Sequence, residues 1–186
     1  MKIFFLKQDE KDKFQLYQNE VMKWNKKTDL IGNSTSKDFF DRHILNSVQF
    51  ITYFKTTDKH ILDIGTGAGI PGLICAILCP DRYFTLYEKK NQKLVFLKHI
   101  VSVLKLGNVQ ILKDFGKDTC LYGDILTSRG LLNLGDIQHY KSFVKRIILF
   151  KGQNYHKEIK QFKNETQGLK ISEYKGYNPE TYFIEI

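Results

Sequence analysis

Between Leu62 and Ile77 the chain reads LDIGTGAGIPGLICAI, with four glycines in the eight residues from Gly65 to Gly72. Glycine costs a regular element roughly 0.5–1 kcal/mol relative to alanine, so this density marks a loop. An apolar run, HILDI, precedes the cluster, and an apolar segment opened by Pro71 follows it. Proline is favoured in the first turn of a helix. The stretch therefore predicts a strand, a bare loop and a helix over Pro71–Leu78. It also raises the question of what the backbone approaches there that a side chain would block.

The rest of the chain repeats the alternation. YFTLYEKK is read as a strand ending at Glu88 and Asn91–Leu106 as a helix closed by Gly107. NVQIL and YGDILTSRG are strands, the second ending near Ser128, residues 134–144 look helical, and KRIILFKG is a buried strand. LKISEYKGY and TYFIEI alternate on either side of an Asn178-Pro179 turn and predict an antiparallel hairpin. Ahead of His60, Phe14, Tyr17, Val21 and Trp24 stand at helical spacing over residues 9–27, with Asp9 or Asp12 as cap. Phe39, Phe40, Ile44, Val48 and Ile51 mark a second helix over residues 36–54. Strands alternating with helices predict a doubly wound, mostly parallel α/β sheet. Residues 1–57 are read as a helical extension packed on the core, and residues 58–186 as one compact unit.

Composition narrows the setting. No stretch approaches the roughly 18 uninterrupted apolar residues of a membrane span, and the start lacks the long apolar region of a signal peptide. A cytoplasmic protein is expected. Cys75, Cys79 and Cys120 show no metal-like pairing, so free thiols are expected and no metal site. The formal charge of +9 suits a polyanionic partner, although a lysine-rich composition produces such an excess without one.

Ligands of open α/β sheets sit beyond the carboxyl ends of the strands, where the strand order reverses. The Gly65–Gly72 loop belongs there. A dinucleotide motif counted from Gly65 would need glycine at position 70, which is Ile70, and the offset match at Gly67, Gly69 and Gly72 contains Pro71. A phosphate-binding P-loop would need Gly-Lys-Ser/Thr, which is absent. What stands here is Asp63-x-Gly65-x-Gly67-x-Gly69, with Glu88 closing the next strand. This resembles the S-adenosyl-L-methionine loop of class I methyltransferases. The resemblance implies that the loop passes under the amino-acid part of the cofactor and that Glu88 takes both ribose hydroxyls. A carboxylate suits a vicinal diol because it accepts two hydrogen bonds.

Further stretches sharpen the likeness. Trp24-Asn25-Lys26-Lys27-Thr28-Asp29-Leu30, Arg42-His43-Ile44-Leu45-Asn46-Ser47, the Asp63–Gly72 loop with its Pro71-Gly72 extension, Ser128-Arg129-Gly130 and Lys151-Gly152 occur in that order. Together they resemble the RsmG/GidB family of bacterial small-subunit rRNA guanine-N7 methyltransferases. The resemblance implies S-adenosylmethionine as cofactor and 16S rRNA or the small ribosomal subunit as partner, with a monomeric enzyme. It implies cofactor contacts from Asp63, Gly65, Thr66, Gly67, Gly69, Ile70 and Glu88. Leu112, Lys113 and Asp114 fall near the adenine, with Asp114 accepting from its amino group. Arg129 is expected at the mouth of the site, holding cofactor or target nucleotide; a structural ion pair with Asp124 or Asp136 is the alternative. Lys23, Lys26, Lys27 and Lys151 are candidate RNA phosphate contacts, and a solvated basic face would read the same. His43 is read as an orienting or core residue.

Guanine N7 carries an exposed lone pair, so its methylation needs positioning rather than a general base. Two departures stand out: the family's acid in H-x-L-D-S is Asn46 here, and its arginine after strand three falls at Ile111. They keep two rivals in view: a class I methyltransferase with another substrate, and an RNA-binding module with a decayed site.

Overall fold

The computed structural model describes residues 6–32, 38–113, 122–165, 171–177 and 180–186. Asp114, Cys120 and the Asn178-Pro179 turn lie outside the described residues.

Five strands form the parallel part of the sheet: β1 (His60–Ile64), β2 (Tyr83–Tyr87), β3 (Val109–Leu112), β4 (Gly123–Arg129) and β5 (Val144–Lys151). Two antiparallel strands follow, β6 (Ser172–Lys175) and β7 (Tyr182–Glu185), and β7 inserts between β5 and β6. The sheet order is β3-β2-β1-β4-β5-β7-β6. Strand order therefore reverses between β1 and β4, which places the glycine loop and Arg129 side by side. The Ser128 hydroxyl reinforces this, donating to the Ile64 carbonyl at 2.8 Å.

Alternation along each strand feeds two cores. Ile61, Phe84, Leu86, Ile125, Ile148 and Phe150 face one side. There they meet α1 (Gln8–Asn25), α2 (Asn46–Ile51), α3 (Gly72–Leu78) and α4 (Asn91–Val103). Leu62, Ile64, Leu126, Ile147 and Leu149 face the other side. Their partners come from α5 (Ile137–Tyr140), the 3₁₀ turn before it at Leu134–Asp136, and α6 (Tyr155–Glu165). Phe14, Tyr17 and Val21 of α1 are buried, as their spacing predicts.

Several boundaries differ from the sequence reading. Lys7, not Asp9 or Asp12, is the N-cap of α1; its N–H donates to Glu10 at 2.8 Å, while Asp9 pairs with Lys13. The second helix starts as a π-helical turn, Phe40–Leu45, and is α-helical only over Asn46–Ile51. Helix α4 stops before Gly107, because Lys105 takes the left-handed conformation (φ 53°) that ends the helix. Helix α6 was not foreseen. Its apolar residues, Tyr155, Ile159 and Phe162, keep helical spacing, but eight polar or charged neighbours mask it.

The C-terminal hairpin is clasped to the N-terminal helices. Asn46 Nδ2 donates to the Arg42 carbonyl at 3.0 Å and to Thr181 Oγ1 at 3.2 Å, and Gln49 Nε2 donates to the Lys175 carbonyl at 2.9 Å. A carboxylate at position 46 could donate neither bond, so the departure at Asn46 serves the fold. Arg146 is a second clasp. It donates to Asp58 Oδ2 and Glu185 Oε1 at 2.7 Å each and to the Tyr53 carbonyl at 2.9 Å. Asp58 is 2% exposed, and removing one partner strands a buried charge, at a cost of about 3–5 kcal/mol. Arg146→Met is therefore expected to lower the urea midpoint sharply with no change in slope. Among the described residues, no helix is long and apolar enough to cross a membrane.

Candidate active site

The loop after β1 is held from beneath. The Tyr87 carbonyl accepts from the N–H groups of Gly65 (2.9 Å) and Thr66 (3.0 Å). Asp63, fully buried, accepts on one oxygen from Thr66 Oγ1 (2.7 Å) and from the Gly72 N–H at the start of α3 (2.9 Å). From α1, the Tyr17 hydroxyl donates to the Ala68 carbonyl at 2.8 Å. The N-terminal extension thus takes part in shaping the loop.

The glycines do different work. A Cβ on Gly69 would stand 2.8 Å from Leu73 Cβ, and one on Gly65 would collide with Leu131. Gly69 is required by the protein's own packing, and Gly65 by its left-handed backbone (φ 71°), since Leu131 is exposed and free to move aside. At Gly67 (φ 62°) a Cβ would meet no protein atom closer than 3.9 Å, where the Gly65 carbonyl and Lys93 Nζ lie. Gly67 alone of the three turns its bare face to open space.

One carboxylate borders that space and a second is buried beneath the loop. Glu88, 8% exposed, accepts from the Gly67 N–H at 3.0 Å on one oxygen and from the Lys90 N–H at 2.9 Å on the other. Two backbone groups thus fix its rotamer, and each oxygen keeps a lone pair. Asp63 Oδ1 is buried without a hydrogen-bond partner among the described residues. Burial pushes the Asp63 carboxyl up to about 6, against the hydrogen bonds from Thr66 and Gly72.

Not every expected residue faces the space. Thr66 is 2% exposed with its hydroxyl turned inward, and Ile70 is 7% exposed within the core under α1–α4. Both shape the loop rather than line its open side. The Leu112 carbonyl accepts from the Glu88 N–H at 3.1 Å, and Lys113 is exposed beside it.

Arg129 ends β4 on the face covered by the N-terminal helices. Its Nη2 donates to the Arg42 carbonyl at 3.1 Å, and its buried Nη1 has no partner among the described residues. Burial lowers its pKa to about 10. The alternative ion pairs do not form: Asp124 binds Lys145 and the N–H groups of Lys59 and His60, and Asp136 caps the turn at Asn133. His43 lies on the same face, its ring edge-on to Phe39 at 5.1 Å. Neither ring nitrogen has a partner among the described residues, and burial, with Arg129 and Arg42 nearby, pushes its pKa down to about 3, so the imidazole is neutral.

The basic candidates divide. Lys23, Lys26 and Lys27 are exposed at the end of α1. Lys151 is not a surface cation. Its side chain is 9% exposed, and its ammonium donates to the Leu132 carbonyl (2.6 Å) and Glu158 (2.8 Å). The W-N signature is structural: Trp24 packs edge-on against Phe96 at 5.6 Å, and Asn25 Oδ1 accepts from the N–H groups of Leu30 and Ile31. Beyond Arg129 a half-open cavity of about 240 Å³ is lined by Arg42, Phe150, Glu180 and Thr181 among others. Glu180 and Lys93 were not singled out from the sequence. Arg42 stood there only as part of a quoted stretch and Tyr17 only as an apolar position of the first helix, and Glu180 belongs to a distant segment that only the tertiary fold brings near.

Comparison with known proteins agrees with this architecture. A family model described as GidB, rRNA small subunit methyltransferase G, matches residues 10–178. Ribosomal RNA small subunit methyltransferase G of Mycoplasma capricolum is 34% identical over 177 residues, covering 91% of this chain and 77% of that protein. Its namesake from Rickettsia bellii is 35% identical over 153 residues, covering 81% and 79%. A solved SAM-dependent methyltransferase from Aquifex aeolicus superposes with a TM-score of 0.60 at 14% identity, covering 83% of this chain and 97% of that one. That likeness identifies the fold as the class I methyltransferase arrangement, and with the family match spanning both the N-terminal helices and the sheet, the chain belongs to the GidB family of small-subunit rRNA methyltransferases.

Proposed function

We propose that the protein transfers a methyl group from S-adenosylmethionine to guanine N7 in 16S rRNA of the small ribosomal subunit. The observation that carries this reading is the open face of Gly67 beside the fixed Glu88 carboxylate. Beneath the same loop lies the buried, unpartnered Asp63 Oδ1, and Arg129 ends the neighbouring strand. An adenosyl amino acid fits them. Glu88 offers two acceptors to a ribose diol, Asp63 Oδ1 an acceptor to an ammonium, and Gly67 the open space beside Glu88. The intact acid–glycine–acid geometry argues against a decayed site.

Bound there, the cofactor would supply a sulfonium-activated methyl group for the N7 lone pair, with the carbon–sulfur electron pair leaving on sulfur. No proton has to leave guanine first, so the chain needs to orient its two ligands rather than supply a base. Asp63, Gly65, Gly67, Gly69 and Glu88 hold the cofactor, with Thr66 and Ile70 setting the loop beneath it. Leu112 and Lys113 continue the rim toward the adenine, and Asp114, outside the described residues, is the proposed acceptor for its amino group. Arg129 faces the target nucleotide, while Lys23, Lys26 and Lys27 form a basic strip for RNA phosphates. Residues 1–57 form the extension that completes the site, and residues 58–186 form the methyltransferase unit. The reading places the protein in the cytoplasm as a monomer, because one chain contributes every group used.

The test is direct. Incubating the protein with S-adenosylmethionine and small subunits, then digesting the rRNA for mass analysis, should give N7-methylguanosine; any other methylated nucleoside, or none, defeats the reading. A pH dependence follows from Asp63. A cofactor ammonium favours its ionised form, so cofactor binding should release a proton near pH 6 and weaken as pH falls from 7 to 5. Asp63→Asn should flatten that profile in calorimetry. Without cofactor the sign reverses: a carboxyl raised to about 6 in the folded protein favours folding at low pH. That contribution is lost as pH rises through 6.

A further inference from the structure

The cavity beyond Arg129 contains one group that methyl transfer does not require, the carboxylate of Glu180. We infer that Glu180 reads the Watson–Crick edge of the target guanine, in a pocket where Arg129 donates to its O6. The inference rests on the proposed guanine-N7 reading and names how that site selects its base.

Size is the first argument. At about 240 Å³ the cavity falls below the ~300–1,000 Å³ of pockets for whole small ligands, so it suits a single planar base. Charge is the second. Arg42, Arg129 and Lys151 line it with one carboxylate, Glu180. Lys151 is taken up by Glu158 and the Leu132 carbonyl and Arg42 pairs with Glu180, which leaves Arg129 as the cation not tied to a carboxylate among the described residues. The combination fits a group that carries acceptors on one edge and donors on the other. Guanine presents acceptors at O6 and N7, and N1–H and the 2-amino group on the opposite side. A carboxylate accepts two parallel donors well. Adenine would turn the lone pair of its N1 toward Glu180 instead of an N–H.

The layout matches the direction of the chemistry. Arg129 stands between the cofactor loop and the cavity, and its buried Nη1 has no partner among the described residues. Turned into the cavity, that donor would meet O6 and leave the in-plane lone pair of N7 toward the methyl group. Glu180 lies across the cavity, half-exposed at its rim, in a 3.5 Å pair with Arg42. That is longer than the ~2.7–2.9 Å of a tight charge-assisted bond, and it steadies the carboxylate where the far edge of the base would arrive. Accepting from N1–H also pushes electron density through the ring toward N7. Glu180 thereby makes the nucleophile stronger as well as selecting it.

Inosine monophosphate, which lacks only the 2-amino group, separates this role from a surface ion pair. Calorimetry on the protein saturated with S-adenosylhomocysteine should show guanosine monophosphate binding roughly tenfold tighter than inosine monophosphate. Glu180→Gln should erase that preference, because its amide turns a donor toward the guanine donors. On small subunits the same variant should lose roughly 10–100-fold in kcat/KM, the scale of a hydrogen bond to a charged group. Its melting temperature and cofactor affinity should stay those of the parent. Equal binding of the two monophosphates by the parent protein, or full activity of Glu180→Gln with N7-methylguanosine still formed, overturns the pocket assignment. A parent protein whose product is a different methylated nucleoside overturns the guanine-N7 reading itself, and this inference with it.

Discussion

Gly67→Val is expected to abolish cofactor binding while leaving the fold in place. The open space around Gly67 explains both halves. A branched side chain there meets no protein atom closer than 3.9 Å at its Cβ, so the cost to folding is that of a non-glycine residue in the left-handed region, about 1–3 kcal/mol. The same atoms fill the open space beside Glu88 that the proposed cofactor site needs. Calorimetry with S-adenosylhomocysteine should show at least a hundredfold loss in a variant that still melts cooperatively. Gly69→Val should fail differently, by destabilising the protein, because Leu73 already occupies its Cβ position. Unchanged affinity in folded Gly67→Val would remove the glycine loop from the cofactor site.

Arg129 supports an equally large and less intuitive expectation. It is a half-buried cation with one buried, unpartnered nitrogen and no carboxylate bonded to it among the described residues. Holding a charge away from water without a counter-charge costs stability, and an apolar side chain of similar size removes that cost. Arg129→Met should therefore melt at or above the parent temperature while methyl transfer to small-subunit rRNA falls at least a hundredfold. Arg129→Lys should not restore it, because a point charge cannot reproduce a planar fork tied at one nitrogen to the Arg42 carbonyl. Cofactor affinity should stay within a few fold in both. A destabilised but active Arg129→Met protein would mark the residue as structural, and parallel loss of cofactor affinity would move it to the amino-acid end of the cofactor.

The order of strands and the position of the loop were legible because both rest on local signals. Apolar runs end in glycine, proline opens α3, and Glu88 closes β2. The glycine pattern did not reveal that its members answer to different constraints. Gly65 answers to its left-handed backbone, Gly69 to Leu73 and Gly67 to open space; the sequence treats them alike. Lys151 illustrates the converse. A lysine after a strand reads as a surface cation, yet Glu158 from the unforeseen α6 captures it. Asn46 read as a lost acid, and only its contact with Thr181, 135 residues away, shows an amide doing what a carboxylate cannot. Tyr17 was read as core, correctly, but the acceptor of its hydroxyl lies in the loop after β1, and no spacing announces that bond.

The insertion of β7 between β5 and β6 has a consequence for the newborn chain. Everything that holds the cofactor is encoded before the end of β4, and those parallel strands can pair as soon as they emerge. The cavity wall that carries Glu180 comes with the last segment, and it closes against Arg42 only when β7 has slotted beside β5. Until then β5 presents an open edge, a template for wrong pairing. On the proposed reading, the groups for the methyl donor emerge before the wall that carries Glu180, and the pairing of β7 that brings this wall into place also covers the open edge of β5.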